Sequence, residues 1–400
     1  MKTAPDNTSK PSRKSGYLPS LDGWRALAIL GVMMTHDLPW VIAGHSNASF
    51  KGYGGDGVML FFAISGLLIT TRILEEESLC GYFDVRRFYI RRFFRIQPAA
   101  FAYLAVIALL IALGVIHEHW KYWFGALFLY ENFLFKNWEL VSISLFTGHF
   151  WTLAVEEHFY LLLSLIFLCV RRYRFVVLAV LWFGLTEAVR YAIVHGHYDA
   201  LASSRRTYWQ LHFLILPSAI AVALRWPWMR RLAENYLHPW MIFLLTAIGL
   251  TVHHFICMPH SGSFFKGFIT SEWKLVITYG FVFWIVATML HPKAWTTRLL
   301  ETPPLRFIGK ISYSLYLWHV LFYFYIFPPT NITNRLLYML GARPMKYIAA
   351  FTCAILSYYL IERPMMRLGH RLAPPASPGR PELTIDNSIA DRKVASALSA

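Results

Sequence analysis

Arg25 and His36 are the first residues whose types and spacing suggest chemistry, in the segment SLDGWRALAILGVMMTHD. Eleven helical residues advance about 16.5 Å and turn through three revolutions plus roughly 20°. The guanidinium and the imidazole therefore share one helix face at two depths. An imidazole ordinarily titrates near neutrality and suits a general base. An ionisable group at membrane depth is costly enough that it usually faces a cavity or a pathway. A histidine hydrogen-bonded inside a bundle would show the same spacing. Asp22, one turn before Arg25, is placed for an i, i+3 ion pair.

The run VRRFYIRRFFRIQP adds Arg86, Arg87, Arg91, Arg92 and Arg95. Taken alone, it is the basic loop that positive-inside topology requires. Arg92 and Arg95 share a face if the run is helical, and planar guanidiniums offer bidentate sites for phosphate. That suits a nucleotide-bearing cofactor such as coenzyme A, with anionic lipid headgroups as the competing partner. In GHFWTLAVEEHFYLLL, His149, Glu156, Glu157 and His158 open an apolar run. Adjacent carboxylates are expensive there unless paired or wet, and on a helix they point about 100° apart. One is expected to face the site, orienting His36 or binding acceptor hydroxyls, and the other to sit at the rim. An interfacial charge pair is the plain alternative.

In GYGGDGVMLFFAISG, Gly54, Gly55 and Gly57 allow a tight turn or close backbone approach, but the Lys-Ser/Thr of a Walker loop is missing. Ser65-Gly66 reads as helix packing rather than as a nucleophile. KISYSLYLWHV brings Ser312, Tyr313, Ser314, Tyr316 and His319, much of it explained by an interfacial aromatic belt. Asp37, Asp56, His149 and His319 are the further candidates for the cavity that His36 faces. Glu362-Arg363-Pro364 reads as a charged stop after the last span.

A bundle in lipid must position these groups. Of 400 residues, 56% are hydrophobic and 15% charged, against about 25% charged in a soluble domain. The mean hydropathy is +0.43. Apolar runs long enough for a bilayer core recur at 21–42, 57–72, 98–116, 150–170, 175–194, 207–224, 240–257, 273–290, 311–327 and 345–361. They predict an all-α polytopic membrane protein with ten transmembrane helices. The segment 122–135 is short, carries Glu131 and Asn132, and is expected to be re-entrant or interfacial. If it does not span, Lys and Arg gather on one side; if it spans, they divide evenly. The positive-inside rule thus favours ten spans with both termini in the cytoplasm.

The expected domain map is a cytoplasmic tail at 1–17, a membrane domain at 18–370 and a disordered cytoplasmic tail at 371–400 carrying Pro374, Pro375 and Pro378. No cleavage site follows the first apolar run, which is expected to remain as a signal anchor. The net charge of +16 comes from short loops without a nucleic-acid motif, so nucleic acid is not an expected partner. Cys80, Cys169, Cys257 and Cys353 form no CxxC pair and fall mostly in or beside apolar runs. Inert thiols are expected, with neither disulfide nor metal site.

Together, SLDGWRALAIL…H, GGDGVMLFFAISGLLIT, RRFFRIQP, HFWTLAVEEHFYLL and ISYSLYLWH, in this order over about residues 18–368, resemble the acyltransferase-3 family of membrane acyltransferases. The resemblance implies a core of ten membrane helices in a bacterial inner membrane. It also implies cytoplasmic acyl-coenzyme A, most often acetyl, as donor. Acceptors would be hydroxyls of cell-envelope glycans, lipid-linked sugars, peptidoglycan or small molecules such as macrolides. It makes Arg25 and His36 the family's Arg/Lys-x10-His pair, and Arg92 and Arg95 its Arg-x-x-Arg, taken to grip the coenzyme. Glu156 or Glu157 matches an acidic pair usually followed by Gln, where this chain has His158. Some members add an extracytoplasmic hydrolase-like domain, which is not expected in the short tail here.

The chemistry expected is direct transfer, without an aminoacyl group and without a metal. Arg92, Arg95 and Arg25 would hold the coenzyme's phosphates while His36 takes the acceptor's proton, its tautomer fixed by Asp37 or by Glu156 or Glu157. An acyl-histidine intermediate is the variant of this scheme. The rival class is a transporter or proton-coupled carrier, which would share the helix count and the intramembrane His and Arg residues. A lipid-binding scaffold without turnover is a third class.

Overall fold

A computed structural model describes residues 18–37, 41–42, 45–46, 56–134, 145–195, 205–252, 279–323 and 335–374. The expected tails at 1–17 and from 375 onward lie outside these residues, as do Gly54, Gly55 and Cys257. The first helix, α1 (Pro19–His36), starts with Pro19 in its opening turn, where the missing N–H has no helical partner to lose. A two-residue antiparallel ladder follows, β1 (Val41–Ile42) on β2 (His45–Ser46), with Val41 opposite Ser46. Next come α2 (Asp56–Cys80) and α3 (Val85–Ala112). Asp84 caps α3 by accepting from the Arg87 backbone N–H at 2.9 Å, satisfying one of the orphan donors of the first turn.

After α3 the chain forms α4 (Trp120–Leu127) and a 3-10 turn at Glu131–Phe133. A second 3-10 turn, Gly148–Phe150, leads into α5 (Trp151–Cys169), followed by α6 (Arg174–Val194). Then come α7 (Thr207–Gln210), α8 (His212–Ala223), α9 (Pro227–Tyr236) and α10 (Pro239–Val252). The remaining helices are α11 (Tyr279–Leu290), α12 (Trp295–Leu300), α13 (Pro303–Lys310), α14 (Ser312–Phe322), α15 (Arg335–Leu340) and α16 (Met345–Ser357). A π-helical turn at Tyr358–Glu362 joins α16 to α17 (Arg363–Leu372). Arg371 and Leu372, in the stretch expected as the tail, are helical.

The described chain is an all-α membrane fold apart from the short ladder. Four helical segments, Asp56–Cys80, Val85–Ala112, Gly148–Cys169 and Arg174–Ile193, are long and apolar enough to cross a bilayer. Three further apolar helices are shorter, at His212–Ala223, Pro239–Gly249 and Tyr279–Leu290. The eight residues of α4 rise only about 12 Å, too little for a bilayer core. The stretch holding α4 also returns to where it began. Glu118, just after α3, accepts from the Phe146 backbone N–H at 2.9 Å and from the Thr147 hydroxyl, just before α5. Burial pushes the Glu118 carboxyl up to about 7 against the pull of these donors.

Close backbone approach sets the centre of the bundle. A Cβ at Gly66 would overlap the Leu214 carbonyl oxygen, so the glycine lets α2 and α8 meet along their backbones. Ser218 on α8 donates to the Gly66 carbonyl at 3.2 Å. Ser65, read with Gly66 as packing, instead faces a cavity. The Trp24 indole N–H donates to Thr288 on α11 at 2.9 Å, deep inside.

Ion pairs brace one end of the bundle. Glu76 at the end of α2 pairs with Arg91 at 2.5 Å and Arg87 at 3.4 Å. Glu77 pairs with Arg174 at 2.5 Å and with Arg171. Arg87 and Arg91 are thus held at the acidic end of α2, while Arg92 donates to Ser65 farther along it at 3.5 Å. Arg92 and Arg95 turn the other way.

Candidate active site

Arg92 and Arg95, three residues apart on α3, both turn to one cavity. Arg25, Arg92 and Arg95 line one cavity of about 110 Å³ between α1, α2, α3, α5 and α14, several times the roughly 10–15 Å³ one water needs. Val58, Phe61, Ile64 and Leu68 give it an apolar wall. Arg25 pairs with Asp22 at 3.3 Å, the i, i+3 bridge expected from sequence. The Arg92 guanidinium lies 4.1 Å from the Tyr160 ring centroid and 3.7 Å from Glu156. A cation over an aromatic face contributes about 0.5–2 kcal/mol when partly desolvated, which helps offset the cost of holding the charge in the bundle.

Glu156 and Glu157 separate as their 100° offset requires. Glu156 lines the cavity and accepts from the Tyr160 hydroxyl at 2.8 Å, and that hydroxyl also lies 2.7 Å from the Ser65 hydroxyl. Glu157 is not among the lining residues. His158 lies apart, with Nδ1 2.7 Å from the Thr207 hydroxyl on α7.

A second acid sits at this end, and the sequence reading passed over it as a stop signal. Glu362 is 3% exposed and accepts from Ser314 at 2.8 Å. The charges of Arg25 and Arg95 both act on it. It comes from the π-helical turn, a geometry that recurs at functional sites. Its mark in the sequence is an acid directly before Arg363-Pro364, which the end of a span explains equally well.

The histidines gather at the other end of α1. His36 Nδ1 lies 3.0 Å from His319 Nε2, and the two rings are 5.1 Å apart between centroids. His149, from the 3-10 turn before α5, has its ring 6.1 Å from that of His319. His319 is fully buried, and its Nδ1 lies 2.7 Å from the Tyr316 carbonyl oxygen and 3.1 Å from that of Leu315.

The group beside His36 Nδ1 is the His319 imidazole, where a carboxylate is expected from the sequence. Glu156 stays with Arg92. Asp37 turns to the start of α16, where its carboxylate accepts from Arg343 at 3.0 Å, from Tyr347 at 2.5 Å and from Lys346. Asp56 opens α2, one residue before Gly57, whose missing Cβ would meet Val32, one turn before His36.

One polar layer separates the two ends. Tyr316 and Thr152 line the far end of the arginine cavity. The Tyr316 hydroxyl donates to the His149 carbonyl at 2.8 Å and lies 2.7 Å from the Thr152 hydroxyl, which donates to the same carbonyl at 3.1 Å. The Tyr316 ring lies 5.4 Å from the His149 ring and 5.8 Å from the His319 ring. Tyr316 thus touches both groups: it lines the arginine cavity, and its ring stands beside those of His149 and His319. Among the described residues, no group of His, Cys, Asp or Glu is placed to hold a metal ion.

Residues 18–363 match the family model described as an acyltransferase domain. The chain is 30% identical over 379 residues to the peptidoglycan O-acetyltransferase OatA of Listeria monocytogenes, covering 90% of this chain and 57% of that protein. It is 29% identical to the Bacillus subtilis protein named "putative peptidoglycan O-acetyltransferase YrhL", covering 89% and 56%. It is 27% identical to a protein named "putative O-acetyltransferase" in Staphylococcus aureus, covering 77% and 51%. The chain therefore spans about half the length of these relatives. No solved structure matches it. The chain belongs to the acyltransferase-3 family, whose domain accounts for nearly all of its described residues.

Proposed function

We propose that this protein is a membrane O-acyltransferase that moves an acyl group, acetyl by preference, from cytoplasmic acyl-coenzyme A to a hydroxyl of a cell-envelope glycan. The observation that carries this is the stacking of two chemistries along one helix. Three guanidiniums line a cavity around one end of α1, and an imidazole pair stands at the other end, with Tyr316 beside both groups. The names of the relatives support acetyl as the group and a glycan as the acceptor. Lipid-linked sugars and small natural products remain chemically equivalent acceptors.

The residues fit the donor. Arg25, Arg92 and Arg95 can neutralise its diphosphate, with Glu156 and Glu362 as the counter-charges they share. The coenzyme supplies the acyl group already activated as a thioester. The apolar wall of Val58, Phe61, Ile64 and Leu68 suits the narrow arm that carries it. Tyr316 must swing from Thr152 and the His149 carbonyl to connect the cavity with His36.

The protons are set by the hydrogen bonds. A backbone carbonyl can only accept, so His319 donates from Nδ1 to Tyr316 and keeps a lone pair on Nε2. That lone pair accepts from His36 Nδ1–H, leaving His36 Nε2 unprotonated and basic. His36 is then the general base that takes the acceptor hydroxyl's proton as its oxygen bonds the acyl carbon. The C–S bond breaks, the proton passes to the departing coenzyme thiolate, and His319 is the positioning residue that holds the tautomer.

The proposed topology has ten spans and both termini in the cytoplasm, with α4 interfacial on the outer side. The arginine cavity then faces the cytoplasm and the histidines lie toward the outer half, as a donor inside and an acceptor outside require. A reporter placed after Arg174 should read as cytoplasmic, and an outside signal would overturn the map. The activity itself is tested in proteoliposomes with acetyl-labelled coenzyme A and a glycan acceptor. Label in an ester on the acceptor supports acyl transfer. Intact labelled coenzyme inside the vesicles without any ester would make the protein a carrier.

A further inference from the structure

A second cavity, of about 180 Å³, lies across the α13–α14 junction from the arginine cavity. Lys310 and Ile311 line it, whereas the next two residues, Ser312 and Tyr313, line the first. Phe307, Tyr358, Tyr359 and Arg363 complete its wall. The π-helical turn serves both sides. It gives Tyr358 and Tyr359 to the second cavity while Glu362 reaches Ser314 beside the first. The two cavities are thus neighbours at the basic end of the bundle, separated by one junction and one turn.

The chemistry of this second wall is specific. Among the described residues, neither Lys310 nor Arg363 has a carboxylate within ion-pair distance, unlike Arg87, Arg91, Arg171 and Arg174 on the same end. The Arg363 guanidinium lies 5.7 Å from the Tyr359 ring centroid. Phe307 is 40% exposed and Tyr359 46% exposed, so their faces are open to a ligand. Aromatic faces beside uncompensated cations match a flat base that carries a phosphate. An anionic lipid headgroup would offer the phosphate alone.

We propose that this cavity is the nucleotide subsite of the acyl donor: the Phe307, Tyr358 and Tyr359 rings take the adenine, and Lys310 and Arg363 take the ribose 3′-phosphate. The donor then lies along the junction, nucleotide in one cavity and acyl arm in the other. This inference rests on the acyl-coenzyme reading above and adds to it a site for the end of the ligand farthest from the chemistry.

The test is equilibrium binding of coenzyme A and 3′-dephospho-coenzyme A to the full chain in nanodiscs of neutral phosphatidylcholine, for the unaltered protein and for Lys310→Gln with Arg363→Gln. The unaltered protein should bind coenzyme A about 10-fold more tightly than the dephospho form, since a charge-assisted contact is at stake. The double variant should bind both equally, at the weaker affinity. Replacing Phe307 by Ala should weaken both ligands together.

A double variant that still discriminates overturns the subsite, as does an unaltered protein that never did. Equal coenzyme binding by both proteins, with phosphatidylglycerol added to the nanodiscs retained by the unaltered protein and lost only from the double variant, assigns the cavity to a headgroup instead. If the unaltered chain binds no coenzyme at all, the acyl-coenzyme reading itself fails and takes this site with it.

Discussion

The Nδ1 of His36 and the Nε2 of His319, 283 residues apart in sequence, lie 3.0 Å from one another across the α1–α14 contact. The far nitrogen of His319 is tied to the Tyr316 carbonyl at 2.7 Å, so the direction of both protons in the pair follows from a group that cannot donate. An imidazole base without such an anchor divides between two tautomers, only one of which presents a lone pair at the productive nitrogen.

His319→Ala should therefore lower kcat by about 10–100-fold while the KM for acyl-coenzyme A changes little, because the base is misdirected rather than the donor released. His319→Gln, whose amide oxygen can accept from His36, should recover much of the loss. Steady-state kinetics on the two variants would show this. Equal impairment of both, or a loss confined to KM, would remove His319 from the proton chain.

Arg92→Lys keeps the positive charge but gives up the planar fork and much of the stacking on Tyr160. The expected result is a KM for acyl-coenzyme A raised about 10-fold with a smaller effect on kcat. A variant with wild-type donor KM would mean that this guanidinium belongs to the fold and not to the donor site.

Asp37 holds the far end of α1 to α16 through Arg343, Tyr347 and Lys346, the last only 1% exposed. Asp37→Asn takes away the carboxylate that this buried ammonium is bonded to and should cost about 3–5 kcal/mol. Thermal unfolding of the purified protein in detergent would report it as a lowered Tm. Adding Lys346→Met should restore part of the loss. An unchanged Tm in Asp37→Asn would show that the cluster does not fasten the helices.

Gly309 on α13 lies where a Cβ would overlap the Asp22 carbonyl oxygen, one turn from Arg25. Gly309→Ala must push α13 off α1 and should destabilise by about 1–3 kcal/mol, with the donor KM rising as Arg25 shifts. Thermal unfolding and KM measured together would check both parts; a variant normal in each would mean that the contact relaxes freely.

Local periodicity carried part of this site and could not carry the rest. The 100° helical step split Glu156 from Glu157, and the cavity lining shows that split; along α1 it sets Arg25 and His36 three turns apart. The same step could not say which of the arginines would be claimed by Glu76, because that depends on how α2 ends beside α3. Nor could it pair His36 with His319, since helix packing, not sequence distance, decides which faces meet. Glu362 was misread because a charged residue before a proline usually ends a span; only the π-helical turn rotates it inward. Ser65 was misread because its neighbour Gly66 does pack as expected, while the serine looks into the cavity.

His36 carries the central claim, and the direct measurement is single-turnover transfer of labelled acetyl from coenzyme A to a glycan acceptor by His36→Asn in nanodiscs. Transfer should fall by about 10²–10⁴-fold, with donor affinity and thermal unfolding close to those of the unaltered protein. Transfer at a near-normal rate by that variant would contradict the account.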